Sequence, residues 1–251
     1  MAIIECVARL APENAERRLR RHITSSTTPL RVRNMTKVEL SLWIEARYKT
    51  NTASTSKRKL MYGVGINDVG YVTEPVVNGK QIRDPAYRAW SRMLERAYSE
   101  RFHENNPTYT NATVCKEWHS FRSFRNWWLA NYRDGWQIDK DMLSVGNREY
   151  GPDLCMYVPQ WLNSFTIDCG ASRGEFPIGV YLHVKSGKYI SMCSNPITGK
   201  RNYLGLFSTP EQAYSAWLKC KLNIAIELKH EMDAIDTRIY PNVVTIIKAA
   251  V

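Results

Sequence analysis

Histidine is scarce in this chain: five occur in 251 residues, and none lies between His119 and His183. The middle of the sequence therefore lacks the side chain that most often acts as a general base near neutral pH. Six cysteines, at positions 6, 115, 155, 169, 193 and 220, form no Cys-x-x-Cys or mixed Cys/His pair. No zinc is expected, and the thiols read as small buried apolar groups. No run of eighteen apolar residues occurs, which excludes a helical membrane span. Met1-Ala2-Ile3-Ile4-Glu5-Cys6 lacks the charged-then-apolar order of a secretory signal, so a cytoplasmic location is expected.

What the chain does have is positive charge, +11 net, and it is unevenly placed. Residues 1–62 hold thirteen Lys and Arg against five Asp and Glu, and residues 170–227 hold seven against three. The remaining stretches are close to neutral. Two basic regions around a neutral middle fit two contact surfaces on a polyanion, with an anionic membrane or acidic protein as the other partners that charge alone admits. An apolar fraction of 44% with 11% aromatics is that of a folded chain, long enough for two or three small domains.

Periodicity supplies an α+β outline. Pro12 to Ile23 is a helix-like run with Arg17, Arg18, Arg20 and Arg21, and Thr36-Lys37-Val38-Glu39 is a capping-box pattern opening a second helix. These helices make either a small domain with a solvated basic face or a DNA-contacting arm. The polar stretch from Lys49 to Lys59 reads as a linker whose basic end could track phosphates. Tyr62-Gly63-Val64-Gly65-Ile66-Asn67-Asp68 lacks the following helix that a phosphate-cradling loop requires. Pro85 starts a helix with Tyr87, Trp90, Met93, Leu94 and Ala97 on one stripe. A second helix is expected from about Trp118 to Tyr132, its Phe121, Phe124, Trp127 and Trp128 packing in a core rather than stacking on a cofactor.

The chemistry concentrates at Ile138-Asp139-Lys140-Asp141. Read as the end of a short strand, it sends Asp139 and Asp141 to one side, where two carboxylates attract Mg²⁺ or Mn²⁺. Asn147 or Asn163 would add a neutral oxygen. The alternative is that the two aspartates cap a turn. A general base is missing from the segment, and Lys140 occupies the place where one would be most useful. A lysine there could act as base only if burial or neighbours lowered its pKa strongly, and two adjacent carboxylates push the other way.

The run 136–163 resembles the His-Asn-His (His-Me finger) endonuclease domain of bacteriophage homing endonucleases. Asp139 matches the acidic metal ligand that ends the first strand of a ββα-metal finger, and Pro152-Asp153-Leu154-Cys155-Met156-Tyr157-Val158 matches the loop leading to the finger's helix. Lys140 stands where that family has its histidine, and Leu154 where it has its asparagine. A phage variant of the family is similar in more detail, through Asp139-Lys140-Asp141, Tyr150, Pro152, Cys155, Val158-Pro159 and Asn163. Tyr87-x-x-Trp90-x-x-Met93-Leu94 and Val114-Cys115-Lys116-Glu117-Trp118 belong to the same resemblance, which covers about residues 62–225. It implies Asp139, Lys140 and Asn163 as the catalytic positions, Asp139 and Asp141 as metal ligands, and the cytoplasm of a host cell as the location.

Three short strands follow: Pro177–Val184, Lys188–Cys193 and Arg201–Gly205, with turns at Ser186-Gly187 and Asn195–Gly199, then a helix from Ser208-Thr209-Pro210-Glu211. This segment resembles the Apetala-type (ethylene-response-factor) DNA-binding domain. The matching residues are Gly179-Val180, Lys188-Tyr189, Leu204-Gly205-x-Phe207 and Glu211-x-Ala213-Tyr214. The resemblance implies a sheet face on double-stranded DNA. Arg173, Tyr181, His183, Lys185, Lys188, Arg201 and Tyr203 are the expected contacts. Alternation puts Tyr181, His183 and Lys185 on one face of the first strand, Tyr189, Ser191 and Cys193 on one face of the second, and Arg201 with Tyr203 on the third. It leaves open which face looks outward.

The expectation is thus a basic helical region and linker (1–58), a nuclease-like domain (59–168), an Apetala-type domain (169–228) and a helical tail (229–251) that either packs or self-associates. The function expected is DNA binding, with metal-dependent phosphodiester hydrolysis if the aspartates work. Otherwise the chain is an inactive regulator that occupies DNA or a host or phage protein. RNA binding is less favoured, because no aromatic ribonucleoprotein motif is present.

Overall fold

The computed structural model describes residues 34–167 and 174–250. The expected helix over Pro12 to Ile23 and the candidate contact Arg173 lie outside them. The architecture is mixed helix and strand, including a three-stranded antiparallel sheet. Two compact units divide the described chain. One runs to Asp134 and takes back Arg148–Asp153, and the other joins Gly135–Asn147 to the residues from Leu154 onward. These divisions do not coincide with the boundaries at 58, 168 and 228 suggested by composition.

The first unit is built on three helices. Helix α1 (Lys37–Arg47) opens on the expected capping box: the Thr36 hydroxyl accepts from the Glu39 N–H at 3.2 Å, and the Glu39 carboxylate accepts from the Thr36 N–H at 2.9 Å. Helix α2 (Pro85–Tyr98) begins with proline behind an Asp84 cap, and buries Tyr87, Trp90, Met93, Leu94 and Ala97. Helix α3 (Phe121–Asn131) starts later than its apolar pattern suggests. Lys116–His119 forms a 3₁₀ turn, and the Ser120 hydroxyl then caps the helix by accepting from Ser123 N–H at 3.1 Å. The expected aromatics pack on one another, with Phe121 edge-on to Tyr87 at 5.2 Å and Trp118 edge-on to Phe124 at 5.1 Å.

Beneath this layer Arg125 is buried on α3. It reaches Glu45 at 2.9 Å, Ser41 Oγ at 3.2 Å and the fully buried Asp84 at 3.8 Å. Asp84 also accepts from the Tyr71 hydroxyl at 2.6 Å, and burial beside that carboxylate pushes the Tyr71 phenol strongly upward. The polar stretch read as a linker is tied into the same unit. Asn51 caps one helical turn, Thr52–Thr55, and the Arg58 guanidinium donates to the carbonyls of Asn67, Val69 and Tyr71 at 2.7–2.9 Å. Arg58 is therefore engaged internally instead of reaching for phosphates.

In the second unit β1 (Trp136–Asp139) pairs antiparallel with β2 (Met156–Pro159), and α4 (Gln160–Thr166) follows directly. Strands β3 (Val180–His183), β4 (Lys188–Ser194) and β5 (Arg201–Phe207) form the antiparallel meander, and α5 (Pro210–Glu227) packs on one side of it. Trp217 of α5 lies against Gly179, whose φ of +79° and missing Cβ leave room for the indole. After a short helix at Lys229–Asp233, α6 (Ile239–Ala249) buries Ile239, Val243 and Ile247 in one core with Met142, Val158, Leu162, Phe165, Trp217 and Ile224. The apolar positions of the tail thus serve packing. Cys155 and Cys193 are buried, and burial pushes the Cys193 thiol up to about 12, as inert structural cysteines require.

Arg125→Ala would leave the buried Asp84 carboxylate without its cation, and a loss of about 3–5 kcal/mol in denaturant unfolding is expected. Gly179→Ala combines a left-handed backbone with a collision against Trp217, and should lower stability by about 2–4 kcal/mol in the same assay.

Candidate functional site

Two places carry the residues singled out by sequence, and both belong to the second unit. The first is the turn after β1. The strand ends at Asp139, so alternation does not carry through to Asp141. One oxygen of the Asp139 carboxylate accepts from the backbone N–H groups of Asp141 and Met142 at 2.7 and 2.8 Å, which bends the chain away from strand geometry. Lys140 Nζ donates to Asp141 Oδ1 at 2.7 Å and to the Asn147 carbonyl at 2.8 Å, while Asn147 Nδ2 returns a bond to the Lys140 carbonyl at 2.9 Å. Asn163, on α4, donates its amide to Gln137 Oε1 and so ties helix to strand.

This donor set does not fit a divalent-cation centre as it stands. Asp139 holds a turn through one carboxylate oxygen, the Lys140 ammonium neutralises Asp141, and Asn163 is tied to Gln137 through its amide nitrogen, which leaves its oxygen out of that bond. Among the described residues no group of three or more His, Cys, Asp and Glu converges. Burial raises the Asp139 carboxyl above its ordinary value, with the two N–H donors opposing and the Asp141 charge adding to the rise.

The second place is the meander, where pairing settles the choice of face that sequence leaves open. Val180 pairs with Ser191, and Ser191 with Gly205. These residues face α5: Val180, Ser191 and Cys193 are buried, and the Ser191 hydroxyl donates to the Ala213 carbonyl at 2.7 Å. The opposite face therefore looks away from the helix. Its cross-strand rows are His183 beside Lys188, then Tyr181, Ile190 and Leu206, then Met192 beside Tyr203, then Ser194 beside Arg201. Tyr181, His183, Lys188, Arg201 and Tyr203 are thereby brought to one surface. Lys185 is exposed in the turn next to the His183 end.

Contacts within the face fix two of its side chains. The Arg201 guanidinium lies 4.7 Å from the Tyr181 ring centroid, spanning from one edge strand toward the other. His183 Nδ1 is 2.7 Å from the Ser186 hydroxyl, which orients the imidazole toward the turn. Tyr181 and Tyr203 are 46% and 61% exposed, which leaves open aromatic surface on this face. Sequence reasoning missed Ile190, Met192 and Leu206, which share this surface. Their period-two relation to Lys188 and, across the pairing, to Tyr181 is the signal that identifies them.

Because the folded-state pKa of Asp139 is raised, its contribution to stability is full below the ordinary aspartate value and falls as pH rises through the elevated one. Asp139→Asn keeps both N–H acceptor contacts without the charge. It should melt above wild type at pH 7, with the difference closing in acid. Asp139→Ala loses the turn cap and should melt lower at both pH values, by about 1 kcal/mol in stability. Thermal unfolding of the three proteins at pH 3 and pH 7 checks this.

No protein-family model matches this chain, and neither a curated protein nor a solved structure matches it.

Proposed function

We propose that this protein binds double-stranded DNA through the face of β3–β5 that looks away from α5. The observation that carries the reading is the gathering of Lys188, Arg201, His183, Tyr181 and Tyr203 on that one surface, with Lys185 at its margin. Cations on an exposed strand surface meet phosphates, and the tyrosines between them offer apolar area with hydroxyls that can bond to phosphate or base edges. The excess of Lys and Arg over Asp and Glu in residues 170–227 adds the long-range attraction that a polyanion requires. In this reading the chain is related to phage His-Asn-His homing endonucleases with an Apetala-type binding module, and it occupies DNA without cutting it. Asp139, Lys140 and Asp141 then serve as a charged turn.

A second reading, metal-dependent DNA cleavage with Mg²⁺ or Mn²⁺, draws support from the β1–loop–β2–α4 order and from Asp139 at the end of its first strand. It requires the Lys140–Asp141 pair to open.

A mobility-shift series on labelled duplex DNA from 50 to 300 mM salt tests the proposal. Lys188→Ala with Arg201→Ala should weaken binding by at least about tenfold and reduce the slope of log affinity against log salt by about 2. Added Mg²⁺ or Mn²⁺ should produce no cut. Metal-dependent cleavage that disappears in Asp139→Ala would establish the second reading, and absence of any shift would redirect the search to a protein partner.

A further inference from the structure

The outward sheet face has an order that simple charge attraction does not need. Its two ends along the strands are polar and basic, with His183, Lys188 and Lys185 at one and Ser194, Lys200 and Arg201 at the other, the Arg201 guanidinium leaning back over the Tyr181 ring. Its centre is apolar: Ile190 and Leu206 are cross-strand neighbours in the row of Tyr181, and Met192 pairs with Tyr203 in the next. Leu206 is 39% exposed, and Ile190 and Met192 are half-buried. The inward face, by contrast, gives up Ser191, Gly205 and Cys193 to the helix. Three aliphatic side chains thus stand on the open side, although the packed side has large residues of its own in Val180, Tyr189 and Phe207.

This arrangement matches the cross-section of a DNA groove. Three strands span about 10 Å between outer strand axes, close to the roughly 12 Å width of the major groove. With the strands lying along the groove, Lys188 and the Ser194–Arg201 pair stand about 20 Å apart at about 3.3 Å per residue, so their cations meet phosphates along the groove while the centre faces its floor. An aliphatic centre offers no partner to the donors and acceptors of base edges, and covering those groups without hydrogen bonds is unfavourable. One group on the major-groove floor is itself apolar, the 5-methyl of thymine.

We propose that Ile190, Met192 and Leu206 form a specificity surface for 5-methylated pyrimidine, in effect thymine, in the major groove of the bound duplex. The inference rests on the DNA-binding reading above and names which duplexes that site prefers. Lysines and Arg201 set affinity through phosphate, and the aliphatic row selects steps that present methyl groups.

Thymine-for-uracil exchange isolates the methyl, since uracil keeps every hydrogen-bonding atom of the base edge. Duplexes would first be selected on the full-length protein from a random 20-bp pool. The enriched sequences would then be synthesised with thymine or with uracil. Wild type should bind the thymine form about fourfold more tightly for each methyl covered, the value set by burying one carbon group. Ile190→Thr with Leu206→Thr, β-branched replacements that suit a strand, should bind both forms alike while keeping the wild-type salt slope. Lys188→Gln should weaken both forms equally and keep the preference.

Equal wild-type affinity for the two forms overturns the inference and leaves DNA binding intact. Failure of the pool to enrich any sequence, with salt-sensitive binding retained, overturns it as well, because no base is then being read. No binding to either form removes the underlying reading together with it. Loss of the preference in Lys188→Gln would assign selectivity to the charged end and also count against the aliphatic row.

Discussion

Trp217 is the point on which the second unit turns. Its indole lies over Gly179 at the entrance to β3, and the helix that carries it also supplies Ala213, whose carbonyl accepts from the buried Ser191 hydroxyl. Further along the same helix, Ile224 and Ala225 join Val158, Leu162 and Phe165 from the β2–α4 segment, and α6 completes the cluster. One amphipathic helix therefore holds two pieces of chain that read in sequence as separate modules. Because α5 takes the side of the meander that carries Val180, Ser191 and Cys193, the side carrying Tyr181, Lys188 and Tyr203 looks away from it. The location of the candidate interface is a consequence of that packing choice.

The local grammar of the chain was legible. The Thr36 capping box, Pro85 behind an aspartate, the Pro210 helix start and the three strand cores all appear where their residues suggested. Those signals depend on a few neighbouring residues and on backbone sterics, which a sequence contains in full. Which face of the sheet looks outward was not legible, for a definite reason. A hydrophobicity argument would bury Ile190, Met192 and Leu206 and expose Ser191, whereas the fold buries Ser191, leaves Ile190 and Met192 half-buried and exposes Leu206. Close approach of a helix bearing tryptophan needs small residues beneath it, and that requirement is set by a partner element twenty to forty residues away.

The turn after β1 shows the same limit at the scale of single atoms. Asp-x-Asp at a strand end is consistent with a cation site and with a turn cap, since both uses need carboxylate oxygens. Strand alternation favoured the first. The backbone N–H groups of Asp141 and Met142 take the Asp139 oxygen, and the neighbouring lysine takes Asp141, because local donors are available without ordering a metal. Arg58 is a parallel case: a basic residue in a polar stretch looks available for phosphate until three carbonyls are seen around it.

The Asn242 side chain donates to the Met142 carbonyl at 2.9 Å, a bond between residues 100 positions apart. Met142 itself is fully buried among side chains that arrive much later in the chain, Val243 and Ile247 among them. As the polypeptide leaves the ribosome, the β1 segment is synthesised well before α6 exists to cover it. At roughly 5–20 residues per second, that interval lasts several seconds or longer. During it, Met142 and the apolar side of β2 must stay uncovered or be sheltered by a chaperone. Completion of this core thus waits on contacts of long sequence separation, whose loop-closure cost comes before the contacts repay it.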